Sequence, residues 1–91
     1  MATNAVLVKI DGARVAQAVE EAREQLDGAQ GEVVLDFSSV RRIDSGALRA
    51  MEHLAEAVGK SGTKLVLNNV NIDIYKVFKL MKLAPRFSFR T

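Results

Sequence analysis

The chain is expected to fold as an α/β domain: a mainly parallel or mixed four-stranded sheet with about three helices packed on it. Three observations predict this. Short apolar runs alternate with amphipathic segments of helical period along the whole length, the order of strand–helix–strand units joined by right-handed crossovers. The 91 residues suffice for one core and not for two, so residues 1–91 form a single domain. No internal repeat, linker or low-complexity stretch interrupts the alternation.

Each element has a local reason. Ala5 to Ile10 is a strand, and Asp11 and Gly12 form a turn. Val15, Ala18, Val19, Ala22 and Leu26 fall on one face of a helix that Gly28 ends. Val33, Val34, Leu35 and Phe37 make a short apolar run suited to a strand covered on both faces, with Asp36 and Ser38 at its polar end. A second helix follows Asp44 and Ser45, carries Leu48, Met51, Leu54, Ala55 and Val58, and is expected to stop at Gly59. Ser61, Gly62 and Thr63 turn the chain into a third strand, Lys64 to Asn68, with Leu65, Val66 and Leu67 buried. After the polar break Asn69 to Asn71, the residues Ile74, Val77, Phe78 and Met81 recur at i, i+3, i+4 and i+7, the signature of a third helix. Pro85 forbids its continuation, and Phe87 and Phe89 alternate with Arg86, Ser88 and Arg90 in a short last strand.

Composition narrows the function classes. Apolar content of 48% with 26% charged residues is that of an ordinary soluble domain. The absence of cysteine excludes disulfides and thiolate metal sites. No apolar stretch approaches the roughly 20 residues of a membrane span. The start, Met1 to Ile10, lacks the basic lead and long apolar run of a signal peptide, so a cytoplasmic location is expected.

Catalytic constellations are not apparent. The single histidine, His53, lies eight residues after Ser45, about 12 Å along one helix, too far for a nucleophile and base. One histidine without cysteine makes a transition-metal site unfavourable, and no glycine-rich phosphate cradle occurs. His53 and Tyr75 are most simply surface and packing residues. Neither enzyme activity nor a cofactor is expected.

Charge is uneven although the formal net value is only +2. From Lys60 onward, Lys60, Lys64, Lys76, Lys79, Lys82, Arg86 and Arg90 face Asp73 alone. Lysines commonly flank an apolar helix stripe, so a solvated face is the plainer reading of Lys76, Lys79 and Lys82. An acidic partner, a membrane surface or nucleic acid are the alternatives. The Phe87 and Phe89 alternation is read as a strand packing its aromatics inward rather than as a nucleic-acid surface.

The richest segment is the junction VVLDFSSVRRIDSGAL, Val33 to Leu48, where a strand runs into short oxygen-bearing side chains and then opens a helix. Asp44 or Ser45 there caps exposed backbone N–H groups. The same N–H groups and the helix dipole favour an anion, whether a phosphoserine, a ligand phosphate or a partner's carboxylate. A plain cap and a regulated binding tip both fit, and spacing does not separate them.

The run D-F-S-S-V-R-R-I-D-S-G-A-L, Asp36 to Leu48, resembles the signature of the STAS family, the anti-sigma factor antagonist domains of bacteria. Lys64 to Met81 is similar to the next strand and helix of that family, in the right order. The resemblance implies a STAS-like fold and a non-enzymatic interaction module docking onto a kinase-like anti-sigma factor, with a role in transcriptional regulation. The docking surface it implies comprises Ser38, Ser39, Arg41, Arg42, Asp44, Ser45, Gly46, Ala47 and Leu48.

Antagonists of the family that switch by phosphorylation carry the acceptor two residues after the aspartate, and Gly46 stands there in this sequence. The family's next residue, glycine, is Ala47. Ser45 is the remaining hydroxyl and thus the candidate phosphorylation site, one place early.

The resemblance also implies an alternative: an accessory subunit that regulates the ATPase of a lipid-transport ABC system, with which Gly46 and the segment Val70 to Leu80 agree. A third, different in class, is a small-ligand or nucleotide sensor using the helix start after Asp44 as its anion site. The family's additional early strand and final helix have no counterpart in this reading, which leaves an edge or apolar face for a homodimer or obligate partner.

Overall fold

The computed structural model describes residues 5–26 and 31–90. The elements run β1 (Ala5–Lys9), α1 (Val15–Leu26), β2 (Glu32–Asp36), α2 (Ser45–Ser61), β3 (Lys64–Asn68), α3 (Ile72–Leu80), a 3₁₀ turn (Ala84–Arg86) and β4 (Ser88–Arg90). Every strand pair is parallel, in the order β1-β2-β3-β4. Of the parallel and mixed arrangements expected, the parallel one is present. Ladder-like bonds continue past the strand ends: Ile10 N–H donates to Asp36 C=O at 2.9 Å and Phe37 N–H to Asn68 C=O at 2.8 Å. The expectation that Gly28 ends the first helix lies outside the described residues.

Sequential parallel neighbours joined by right-handed crossovers place all connecting helices on one side of a sheet. The core agrees with that rule. Val33, Leu35, Leu65 and Leu67 share a single buried cluster with Val19 of α1, Met51 and Leu54 of α2, and Ile74 and Phe78 of α3. Phe78 meets Phe37 and Phe87 with ring centroids 6.3 and 6.2 Å apart, closing the core under α3. Successive strand residues point to opposite faces, so Leu7, Val34, Val66 and Ser88 form one row on the other side. In that row Val34 and Val66 are buried and Leu7 is 70% exposed. An ion pair between Arg90 and Glu32, 3.0 Å long, joins β4 to β2 there. The apolar run of β2 is therefore buried on both faces, and among the described residues the helices cover one of them.

Two helix ends differ from the sequence expectation. α2 passes through Gly59 and ends against Gly62, whose φ of 75° supplies the left-handed residue and whose N–H donates to Val58 C=O. An exposed glycine inside a helix costs about 1 kcal/mol but does not end it, whereas a left-handed residue does. α3 ends at Leu80, one residue before the last apolar position counted. Lys82 adopts φ 61°, and the bonds Lys82 N–H to Lys79 C=O and Leu83 N–H to Phe78 C=O finish the helix. Leu83 rather than Met81 then enters the core. Pro85 lies in the 3₁₀ turn that follows, and Phe87 and Phe89 pack inward as expected.

Candidate functional site

In open parallel sheets, binding sites gather outside the carboxyl ends of the strands. Three loops meet there: residues 10–14 after β1, 37–44 after β2 and 69–71 after β3. The second is the longest, and short polar side chains fix it at both ends.

At its start, the Asp36 Oδ1 accepts from Ser38 N–H at 2.9 Å and from Asn69 Nδ2 at 3.3 Å. These contacts favour the charged carboxylate. The Ser38 backbone N–H chiefly, then the Ser38 hydroxyl and the Asn69 amide, hold Asp36 below the usual carboxylate range, with Lys9 adding to the effect and burial opposing it. Val40 N–H then donates to Phe37 C=O at 2.9 Å, closing a turn that drops the Val40 side chain into the core.

In the middle, Asn71 ties this loop to α3. Its Nδ2 donates to the carbonyls of Arg41 at 3.0 Å and Val40 at 3.4 Å, while its Oδ1 accepts from Ile74 N–H at 2.9 Å and caps α3. On the other flank Gly12 leaves no room for a side chain, since a Cβ there would stand 2.0 Å from the Ser39 carbonyl oxygen. At the end, Asp44 is the cap of α2: its backbone is extended and its Oδ1 accepts from Ala47 N–H at 2.8 Å. The cap expected of Asp44 or Ser45 thus belongs to Asp44, and Ser45 is the first residue of the helix.

Ser38, Ser39, Arg41, Arg42, Asp44, Ser45 and Gly46 are exposed together, and Leu48 is half-buried beside them. Ala47 does not join them. Its side chain is 1% exposed because the first turn of α2 directs it into the core, which corrects its placement on the docking surface. Among the described residues, the side chains of Arg41 and Arg42 have no hydrogen-bond or ion-pair partner. They border a shallow cleft of about 280 Å³ shared with Ile43 and with Asp73, Ile74 and Val77 of α3.

That cleft, the Asn71 clamp and the Gly12 contact were not visible in the sequence, since each joins residues distant in the chain. Only the polar break Asn69 to Asn71 hinted at a cap.

Chemically the tip offers hydroxyls, two guanidinium groups without a partner among the described residues, and the start of a helix. His53 is engaged elsewhere, with its Nδ1 3.5 Å from the Glu20 carboxylate of α1. Among the described residues, no three His, Cys, Asp or Glu side chains are grouped to hold a metal, and no helix is long and apolar enough to cross a membrane. The arrangement suits recognition by a partner.

Comparison with known proteins gives a consistent result. A family model, the STAS domain, matches residues 3–91. Over 63 residues the chain is 35% identical to the intermembrane phospholipid transport system binding protein MlaB of Escherichia coli (strain K12), and equally to that of Shigella flexneri. The match covers 69% of this chain and 63% of those relatives, less than two thirds of their length.

Among solved structures, a Thermotoga maritima protein described as an anti-sigma factor antagonist superposes with a TM-score of 0.76 at 18% identity, covering 100% of this chain and 83% of that one. Phosphorylated SpoIIAA, a Bacillus cell fate determinant, superposes with a TM-score of 0.58 at 20% identity, over 96% and 79%. At these identities the structures show a shared fold.

Proposed function

This chain belongs to the STAS domain family, and we propose that it is a non-enzymatic docking module, an accessory subunit that binds the ATPase of a phospholipid-transport system. The partner would sit on the β2–α2 loop, the first turn of α2 and the cleft against α3. One observation carries the choice of partner: the relative that is 35% identical is a phospholipid transport system binding protein. Gly46, at the place where switching antagonists carry their acceptor hydroxyl, agrees with a constitutive adaptor. The tip is fixed before any partner arrives, which lowers the ordering cost of docking.

A second reading has its own support. The exposed hydroxyl of Ser45 at the start of α2, together with the fold shared with SpoIIAA, favours an anti-sigma factor antagonist docking onto a kinase-like anti-sigma factor. Phosphorylation of Ser45 would then add about −1.5 to −2 charge to a desolvated contact and weaken docking. A cytoplasmic location fits both.

A pull-down from the native source, membrane fraction included, tests the two readings with wild type, Ser45→Asp and the Arg41→Glu/Arg42→Glu pair. The transport reading expects a transporter ATPase held by wild type and Ser45→Asp and lost by the arginine pair. A kinase-like ATPase released by Ser45→Asp establishes the antagonist reading instead. Capture indifferent to the arginine pair removes the docking surface from this loop.

A further inference from the structure

We propose that the outer surface of α3 is a second site, one that lies on a membrane surface of anionic phospholipid. It rests on a different face from the docking tip and does not depend on the function proposed above.

The inner side of α3 is fixed by Ile74 and Phe78 in the core. Its outer side carries Ile72, Lys76, Lys79 and Leu80, which follow one another at i, i+4, i+7 and i+8 and so share one stripe. Leu80 is 82% exposed, Ile72 68% and the following Met81 48%. A solvated lysine face accounts for the cations but leaves these three large apolar side chains in water without a reason. Scattered apolar residues need no explanation, but a contiguous patch does.

The patch is contiguous. Shallow depressions of about 370, 440 and 450 Å³ cover it from Ile72 to Leu80, with Met81 outside them. Tyr75 borders the first and third, and Lys79 borders the second and third. Tyr75 itself stands edge-on to Phe89, with ring centroids 5.0 Å apart, and is partly exposed. An aromatic ring with one apolar and one wet end suits a membrane interface.

Charge specifies the partner's sign. Lys76, Lys79 and Lys82 border the depressions, whereas Asp73, the one acidic residue of α3, lines the cleft with Arg41 and Arg42 instead. The partner must therefore be anionic.

Two features favour lipid over an acidic protein segment. The cations on the patch that have no partner among the described residues are lysines on flexible stems, which suit mobile headgroups as point charges, whereas a fixed carboxylate is better met by an arginine fork. Arg90, which borders the first depression, is bound to Glu32. The lysines also share one stripe with the exposed Ile72 and Leu80. Lysine stems can lie along hydrocarbon while their ammonium groups reach headgroups, and the intervening apolar side chains enter the interface.

The test is co-sedimentation of the whole chain with phosphatidylcholine vesicles, with and without phosphatidylglycerol, at low and high salt. Wild type should bind the anionic vesicles, release as salt rises and ignore the neutral ones. Lys76→Glu/Lys79→Glu should weaken binding at least roughly tenfold, and Leu80→Ser by roughly three- to tenfold. Arg41→Glu/Arg42→Glu makes the same charge change elsewhere and should alter binding by less than about twofold if the site is local. Thermal melts of all variants confirm that each is folded, since every substituted side chain is exposed.

No binding to anionic vesicles at low salt overturns the proposal, and so does equal loss in the two charge-reversed pairs. Saturable binding of a glutamate-rich peptide without vesicle binding would overturn it in favour of an acidic protein. Because the pull-down is read through Arg41 and Arg42 and the sedimentation through α3, failure of one is distinguishable from failure of the other.

Discussion

The loop after β2 and the outer surface of α3 lie on either side of the same helix and are built in opposite ways. The loop is held by polar contacts of short side chains: Asp36 at its start, Asn71 in its middle and Asp44 at its end. The α3 surface has no such frame. Only the inner side of that helix is anchored, and what it shows to solvent is long lysine stems between apolar side chains. A surface ordered in advance suits a partner of fixed shape, because little more ordering is needed on binding. A surface of mobile point charges suits a partner whose own charges move.

The sharpest way to break this comparison is Gly12→Ala. A methyl group at that position would stand 2.0 Å from the backbone oxygen of Ser39, so the β1–α1 turn and the β2–α2 loop must move apart. Because the obstacle is backbone rather than a flexible side-chain end, the expected loss is about 1–3 kcal/mol. In a domain of this size each kcal/mol lowers the melting temperature by roughly 4–8 °C. Below that temperature, capture of the protein partner should fall while binding to anionic vesicles is kept. Parallel loss of both in the folded protein would show that the two surfaces are coupled.

Asn71→Ala sharpens the comparison with a smaller effect. It removes the cap on Ile74 N–H and the donor to the Arg41 and Val40 carbonyls, for an expected loss of about 1–2 kcal/mol. The carbonyls are near solvent, so water replaces part of what is lost. Hydrogen exchange should quicken at residues 40–43 and in the first turn of α3, with α1 unchanged. Uniform quickening across the domain would mean that Asn71 acts on global stability and is not a local clamp.

These two residues also mark where sequence reading stops. The strand and helix order, a cap at Asp44 or Ser45 and the exposed run of Ser38, Ser39, Arg41 and Arg42 were legible because each depends on neighbours a few positions away. Gly12 and Asn71 act on partners 27 to 31 residues distant, which no local pattern encodes. Ala47 was misplaced for a related reason. The turn motif marks it as part of the tip, yet the third position of a capped helix is turned inward by the helical rotation. Gly59 and Gly62 stand alike in the sequence, two glycines near the end of one apolar helical pattern, and only the backbone shows that Gly59 lies inside the helix while Gly62 adopts the left-handed φ that ends it.

The smallest expected effect is one of pH. Asp36 is held below the usual carboxylate range by the Ser38 N–H, the Ser38 hydroxyl and the Asn69 amide, so the folded chain takes up its proton less readily than the unfolded chain does. Its contribution to stability is therefore fully present above the ordinary value of 3.8 and is lost as the pH falls through the lowered folded value. The informative quantity is a difference between two variants, because it isolates Asp36 from the rest of the chain. Between about pH 5 and about pH 3, the melting temperature of wild type should fall slightly further than that of Asp36→Asn, which offers the same acceptor without a charge to lose. Equal acid sensitivity in the two proteins would show that Asp36 holds the loop by shape alone.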